Sequence, residues 1–237
     1  MPFFYRLTLE LHDSLYYATR EIGRLYETEP ILHNYALCYA LGFVDSEKYG
    51  TVVDNSVGYR YFCGEQVPRY EAHLTALNQR GLYVTPARAV QHTTTLNTWK
   101  YADNRYHVEM KKTQKNIPSF GRTKEIAPES LFECFVVSSD RITFPKWIRL
   151  GKWLSKTEVT ATELPKPKQT TAQEYTFPYP LNPLDVMFTN QVLSYDTINM
   201  PPVSLIQHVH LKGDYYTFPN TYDSLKLPAN LSYHFSS

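Results

Sequence analysis

The stretch Phe3-Phe4-Tyr5-Arg6-Leu7-Thr8-Leu9-Glu10-Leu11 decides the fold prediction, because its side chains alternate in character. The odd-numbered positions are all apolar, whereas Arg6, Thr8 and Glu10 are polar. Successive side chains of a strand point to opposite faces, so this pattern predicts a β-strand with one buried face. The remaining elements are placed outward from this strand.

Two later segments carry the signals of helices. Thr28-Glu29-Pro30 offers a capping hydroxyl, an acid and a proline at the first helical position. It predicts a buried helix that runs from Pro30 to Leu41 and ends at Gly42. Pro68 to Arg80 has apolar residues at helical spacing and precedes Gly81, which predicts a second helix.

Several further segments predict strands, because they alternate in polarity or are rich in β-branched residues. They are residues 57–62, 82–85, 90–99, 106–112 and 131–138. Near the carboxyl end, Val203 to Leu211 and Asp214 to Phe218 predict a hairpin that turns at Lys212-Gly213. The order of helices and strands indicates an α+β fold, and a ferredoxin-like (RRM-like) sheet is the favoured small version of it.

Composition changes at about residue 164. Residues 1–164 are predicted to form the ferredoxin-like core, with a basic segment at about 100–130. Nine of the sixteen prolines fall in residues 165–237, which are predicted to be an extended Pro-rich part packed on the same domain. The 237 residues are enough to bury a full core.

The small net charge of +1 hides an uneven distribution of charge. Residues 100–156 contain 12 Lys or Arg and 6 Asp or Glu, a net charge of +6, while the rest of the chain carries −5. A basic segment on an acidic body is typical of a nucleic-acid-binding face. A solvated loop with surplus lysines is the alternative.

Sparse cysteines and short apolar runs limit the class of protein. Cys38, Cys63 and Cys134 lie far apart without CxxC spacing, which argues against a disulfide framework and a structural zinc. The longest apolar run, residues 36–40, is too short to span a bilayer. We therefore expect a cytoplasmic protein that has no cofactor, no metal and no membrane partner.

The basic stretch from Lys111 to Lys152 interleaves cations with aromatic rings and predicts a surface for single-stranded RNA. Phosphates are bound by Lys and Arg, and unstacked bases by aromatic faces. The candidate RNA-binding residues are Lys111, Lys112, Lys115, Phe120, Arg122, Lys124, Lys146, Arg149 and Lys152, with Arg20 and Arg24 from an earlier segment.

Two pairings within this set depend on helical geometry. Arg20 and Arg24 are four residues apart and would share a helical face, although ion pairs of Arg20 or Arg24 with neighbouring glutamates are the alternative. If 147–153 is helical, Lys146 and Arg149 share a face and could clamp one phosphate. For the tryptophans of this segment, core packing is the alternative to base stacking.

The sequence also resembles a known family at several places in the same order. The segments that carry the resemblance are 9–13 (LELHD), 16–23 (YYATREIG), 33–37 (HNYAL), 39–42 (YALG) and 147–153 (WIRLGKW). Together they resemble the Cas-five-type RAMP subunit of the type I-D CRISPR Cascade effector complex, over about residues 3–160. The resemblance implies a RAMP core with a protruding hairpin, or thumb, for which Lys111 to Lys124 is the candidate.

The resemblance also implies a function and partners. It implies a subunit of an antiviral ribonucleoprotein that caps the 5′ handle of the guide RNA (crRNA) and touches the backbone RAMP subunit and the large subunit. Whether target DNA near the recognition motif is also contacted is left open. One departure is that only Gly213 stands where many RAMP proteins have a glycine-rich loop.

Catalysis is the alternative function, because related RAMP proteins include endoribonucleases that process guide RNA. His107 and Lys111 would share a strand face but lie about 13 Å apart, too far for a coupled acid–base pair. His208 and His210 have the spacing of a metal pair but no evident third ligand. We therefore expect a non-catalytic RNA-binding subunit, with the endoribonuclease as alternative and a protein-binding adaptor as a more distant one.

Overall fold

The computed structural model describes residues 2–44, 68–101, 119–219 and 222–235. Strands make up 52% of the structure and helices 11%, and the strands form three curled sheets. The expected α+β ferredoxin-like core is therefore wrong. Its two long helices would form a layer over one sheet, whereas the helices observed here are short and most of the chain is extended.

The central sheet is antiparallel and is built around the first strand. Its strands are β1 (Phe3–Leu11), β4 (Ile31–Leu32), β5 (Tyr83–Val84), β6 (Ala87–Gln91), β9 (Leu131–Ser138), β10 (Trp147–Leu150) and β11 (Ser155–Glu163). They lie in the order β10-β11-β1-β9-β6-β4, with β5 also paired to β9. The strand predictions for 3–11 and 131–138 are confirmed.

Side chains on the two faces of β1 belong to two different hydrophobic cores. Leu7, Leu9 and Leu11 are completely or almost completely buried against the helices. Phe4 points to the opposite face, where its ring lies 5.3 Å from that of Phe218 in the carboxyl-terminal part. Around Phe4 the central sheet is thus covered on both faces, by the helices on one side and by the carboxyl-terminal part on the other.

Among the residues that the structure describes, three short helices accompany the sheets, namely α1 (Asn34–Ala40), α2 (Tyr70–Gln79) and α3 (Pro183–Val186). The predicted helix at 68–80 is confirmed. The predicted start at Pro30 is wrong, because Ile31 and Leu32 instead pair with β6. Helix α1 begins after His33, whose Nδ1 accepts a hydrogen bond from the Tyr35 backbone N–H at 3.2 Å.

The carboxyl-terminal sheet contains β12 (Lys168–Phe177), β13 (Gln191–Ile198), β14 (Leu205–Phe218) and β15 (Tyr222–Pro228). The predicted hairpin at Lys212-Gly213 is wrong, because β14 runs straight through these residues. Gly213 instead leaves room for the side chain of Asn190, because a Cβ at residue 213 would lie 2.2 Å from Oδ1 of Asn190. The described part of residues 165–237 therefore contains a four-stranded sheet.

A third sheet, the arm sheet, stands on the core. It contains β2 (Arg20–Ile22), β3 (Leu25–Glu27), β7 (Thr94–Tyr101) and β8 (Ser119–Ile126) in the order β2-β3-β8-β7. Strands β3 and β8 are parallel, and the other pairs are antiparallel. At the base of the arm sheet, Leu15 and Ile126 exchange backbone hydrogen bonds of 2.8 and 3.0 Å, and both side chains are fully buried.

Candidate nucleic-acid interface

The open face of the arm sheet carries three of the candidate residues on one strand. Phe120, Arg122 and Lys124 alternate along β8 and therefore point to the same side. The intervening Thr123 and Glu125 are buried on the other side. Strand alternation alone thus brings one ring and two cations onto a single surface.

Phe120 lies close to two guanidinium groups. Its ring is 42% exposed, and the guanidinium carbons of Arg24 and Arg122 lie 5.6 and 5.9 Å from its centroid. The Arg122 backbone N–H donates a 2.8 Å hydrogen bond to the carbonyl of Arg24, which fixes the two residues side by side. These three residues are called the arginine–phenylalanine cluster below.

Two other candidate cations on this face are already paired with acids. Arg20 forms a hydrogen-bonded ion pair with Glu27 and lies 3.5 Å from Glu29. Lys124 lies 3.5 Å from Glu27. The hydrogen bond from Arg20 is the main reason why the pKa of Glu27 is lowered. These pairs hold β2, β3 and β8 together, so Arg20 and Lys124 have a structural task within the arm sheet.

The helical face predicted for Arg20 and Arg24 does not form. Arg20 belongs to strand β2, and Arg24 lies in the turn between β2 and β3. Ion pairing was the alternative for Arg20, and it is the arrangement observed. Arg24 reaches the cluster instead through the parallel pairing of β3 with β8, which places Leu25 beside Arg122.

A hydrogen-bond chain stiffens the opposite face of the arm sheet. The indole N–H of Trp99 donates to the Thr123 hydroxyl at 3.0 Å, and that hydroxyl donates to Glu125 at 2.6 Å. The amide of Asn97 also donates to Glu125, at 2.7 Å. The buried carboxylate is thereby satisfied, and strands β7 and β8 are tied together beneath the cluster.

The second group of candidate cations lies on a strand and a turn. Trp147 to Leu150 form β10, so the helical clamp of Lys146 and Arg149 is wrong. Lys146 lies 3.6 Å from Glu158, and Arg149 lies 3.9 Å from Asp13. Lys152 is exposed in the turn that follows.

Lys156 is a neighbour of this group that sequence reasoning missed. Its Nζ lies 4.0 Å from the centroid of the Trp147 ring, a close cation–π contact. The antiparallel register pairs Lys156 with Arg149 and Glu158 with Trp147. Only the register brings these residues together, and the sequence carries no signal that identifies it.

The turn between β10 and β11 is pinned against the core. Gly151 has φ +73°, and a Cβ there would lie 2.7 Å from the carbonyl oxygen of Tyr16 and 2.9 Å from Cδ1 of Leu15. The next backbone N–H, that of Lys152, donates a 2.9 Å hydrogen bond to the same carbonyl. A side chain at 151 is thus opposed both by the backbone angle and by space.

Gly151→Ala is therefore expected to destabilise the protein by about 2–4 kcal/mol, from a positive φ and a backbone clash. Gly23→Ala is the matched control, because Gly23 also has positive φ but has no atom within 4 Å of an added Cβ. It is expected to cost only about 1 kcal/mol. Urea denaturation measures the free energy of unfolding of both variants. Equal decreases would show that the close approach of Gly151 to Tyr16 does not contribute to the effect.

The residues that could bind a metal ion do not lie together at the arginine–phenylalanine cluster. His208 lies 2.8 Å from Asp196, whereas His210 lies 3.9 Å from Glu174, so the two histidines face different acids. Glu10, His12 and Glu158 bring possible metal-ligand atoms within 4.8 Å of one another, but Lys146 also approaches Glu158. Lys111, Lys112, Lys115 and His107 lie outside the described residues.

An exposed sheet that presents an aromatic ring beside two guanidinium groups has the composition by which proteins hold single-stranded nucleic acids. A family model described as type I-D CRISPR-associated protein Cas5/Csc1 matches residues 2–236. The chain belongs to this family, which confirms the resemblance seen in the sequence. Comparison with curated proteins found no significant match.

Within residues 2–44, 68–101, 119–219 and 222–235, no helix has the length and apolar character needed to cross a bilayer.

Proposed function

We propose that this chain is a non-catalytic, cytoplasmic RNA-binding subunit of the type I-D Cascade complex, which caps the 5′ handle of the guide RNA and contacts the backbone and large subunits. Membership of the Cas5/Csc1 family supports the part of this proposal that places the chain in a type I-D Cascade complex. The observation that carries the RNA-binding part is the exposed ring of Phe120 with the guanidinium groups of Arg24 and Arg122 close to it.

The cluster suits a flexible RNA end for two chemical reasons. A ring with an exposed face stacks an unpaired base whatever its identity, and guanidinium groups hold the adjacent phosphates with paired N–H donors. Arg122 is exposed and has no carboxylate partner among the residues that the structure describes. In this proposal the base lies on Phe120 and the flanking phosphates lie against Arg24 and Arg122.

The sequence extends the proposed surface beyond the cluster. Strands β7 and β8 lead into residues 102–118, which contain Lys111, Lys112 and Lys115. The positive charge of these three lysines would favour binding of the same RNA phosphate backbone. Lys146, Arg149 and Lys152 are proposed as weaker contributors, because two of them already lie near acids.

Binding of the purified chain to a labelled RNA with the sequence of its guide 5′ handle tests the proposal. The logarithm of affinity is expected to fall with log salt at about −0.7 per phosphate contacted, or about −2 for three phosphates. Fluorescence anisotropy at several salt concentrations measures this slope. The RNA should be recovered intact without metal.

Two results would contradict the proposal. A flat salt dependence would favour the protein-binding adaptor. Discrete cleavage of the repeat RNA, lost on His107→Ala substitution, would establish the endoribonuclease.

A further inference from the structure

The β10–β11 turn presents an apolar patch beside the arm sheet. We define this turn patch as Trp99, Trp153 and Leu154, which are 48, 45 and 64% exposed. The rings of Trp99 and Trp153 lie 5.6 Å apart at 72°. The patch thus joins the arm sheet to the turn and leaves three large apolar side chains in water.

Leu154 is held in a conformation that its side chain disfavours. Its φ is +55°, in the region that glycine and asparagine tolerate best. Hydrogen bonds fix it there, because its N–H donates to the Gly151 carbonyl at 3.3 Å and its own carbonyl accepts from Arg149 at 3.1 Å. A strained and exposed leucine makes no evident contribution to the stability of the isolated chain. We therefore infer that Leu154 makes its contribution in a contact with another molecule.

The patch is formed in advance and does not have to rearrange. Trp153 packs against Tyr16, with ring centroids 4.6 Å apart at 32°. The indole N–H of Trp99 is already bonded to Thr123. With the turn pinned at Gly151, the exposed apolar edges have a fixed geometry, which lowers the entropy cost of burying them against a partner.

The chemistry of the patch favours a protein over RNA. Leu154, its most exposed member, is aliphatic and offers no ring on which a base can stack, and Trp153 is already packed on Tyr16. Lys152 adds a cation beside it, exposed and without an ion pair among the described residues. Large apolar anchors next to one charge are typical of the centre of a protein interface.

We propose that the turn patch docks a second protein subunit of the effector, in an apolar pocket that carries a carboxylate facing Lys152. The patch is separate from the arginine–phenylalanine cluster, because Trp99 and Phe120 lie on opposite faces of the arm sheet. The inference rests on membership of the Cas5/Csc1 family and not on the RNA-binding proposal.

Leu154→Asn tests the proposal, because asparagine accepts the positive φ and removes the apolar side chain. The isolated variant is expected to melt at the same temperature as the wild type or a few degrees higher. Its retention in a type I-D complex reconstituted from the other purified subunits and guide RNA should fall at least tenfold on dilution, measured by size-exclusion chromatography. Leu193→Asn, at an exposed leucine on β13, is the matched control and should be retained like the wild type.

Binding of the isolated variants to the handle RNA separates the two sites. Leu154→Asn should keep wild-type RNA affinity. Lys152→Glu should weaken retention by more than it weakens affinity for the handle RNA, to which Lys152 is proposed as only a weak contributor. Wild-type retention of Leu154→Asn would overturn the proposal, and a matching loss of its RNA affinity would assign the patch to RNA instead. Wild-type retention of Lys152→Glu would overturn the acidic pocket. Failure of the cluster to bind RNA would leave these retention results unaffected.

Discussion

Phe120→Ala is expected to weaken binding of the handle RNA by about 5- to 150-fold, since stacking of a base on an aromatic ring contributes about 1–3 kcal/mol. The ring is exposed, so its removal opens no core cavity and should leave the free energy of unfolding nearly unchanged. Phe188→Ala, at an exposed phenylalanine outside the arm sheet, is the matched control and should bind RNA like the wild type.

Arg122→Glu tests the electrostatic half of the same cluster. Loss of one phosphate contact should reduce the salt slope by about 0.7, and the added carboxylate should lower affinity further. Arg141→Glu is the control, because Arg141 also lies over a phenylalanine, Phe3, but belongs to a different surface. If the Arg122 and Arg141 variants bind alike in anisotropy titrations, the cluster is not the RNA site.

The second large effect is expected at Asp185, a carboxylate buried where the carboxyl-terminal part meets the core. Its Oδ2 accepts hydrogen bonds from the Asn34 amide at 2.8 Å and from the Tyr83 hydroxyl at 3.0 Å. Its Oδ1 accepts one from the His234 backbone N–H at 3.3 Å. Asp185→Ala would leave these three donors buried without their acceptor, so it should destabilise the protein by about 3–5 kcal/mol.

Burial also makes the contribution of Asp185 depend on pH. Desolvation is the main cause that raises its pKa to about 7, above the value of 3.8 for an exposed aspartate. Between these two values the folded chain keeps a proton that the unfolded chain has released. The stability from this group is therefore full below about pH 4 and is lost as the pH rises to about 7.

His33 has the opposite dependence. Burial lowers its pKa to about 4, while its Nε2–H donates a hydrogen bond to the Val203 carbonyl at 3.1 Å. Below pH 6.5 the unfolded chain binds a proton that the folded chain does not, so stability is lost as the pH falls from about 6.5 to about 4. Between about pH 4 and pH 6.5, a rise in pH therefore reduces the stability contributed by Asp185 and increases the stability contributed by His33.

Asp185→Asn should separate these effects, because the amide fills the same space without titrating. Relative to the wild type, its free energy of unfolding is expected to rise by about 3–4 kcal/mol between pH 4 and pH 8. Urea denaturation at several pH values measures the difference. Asp140→Asn, at an exposed carboxylate, is the control, and a constant offset for Asp185→Asn would refute the raised pKa.

The elements that the sequence predicted well are those whose own periodicity is decisive. Strand β1 alternates from Tyr5 to Leu11, β9 places Phe132, Cys134 and Val136 on one face, and α2 has both an apolar stripe and a terminal glycine with positive φ. The fold class failed where long-range pairing overrides a local signal. Pro30 carries good helix-start chemistry, yet Ile31 and Leu32 gain more from joining the central sheet.

The candidate site was predictable only in part. Phe120 and Arg122 were found because aromatic rings are interleaved with cations in the basic stretch from Lys111 to Lys152. Their meeting with Arg24 depends on a parallel strand pair between distant segments, and no local pattern reports such a pair. The same limit applies to Lys156 beside Trp147, which depends on the register of β10 and β11.

The parallel pairing of β3 with β8 also bears on how the protein is made. The ribosome releases β2 and β3 long before β8, so the hairpin of β2 and β3 must wait for its parallel partner from the middle of the chain. Until β8 pairs with β3, the backbone of Arg122 is not held beside that of Arg24. Newly synthesised chains thus acquire the arginine–phenylalanine cluster only after β3 and β8 have come together, so the proposed RNA surface forms late in folding.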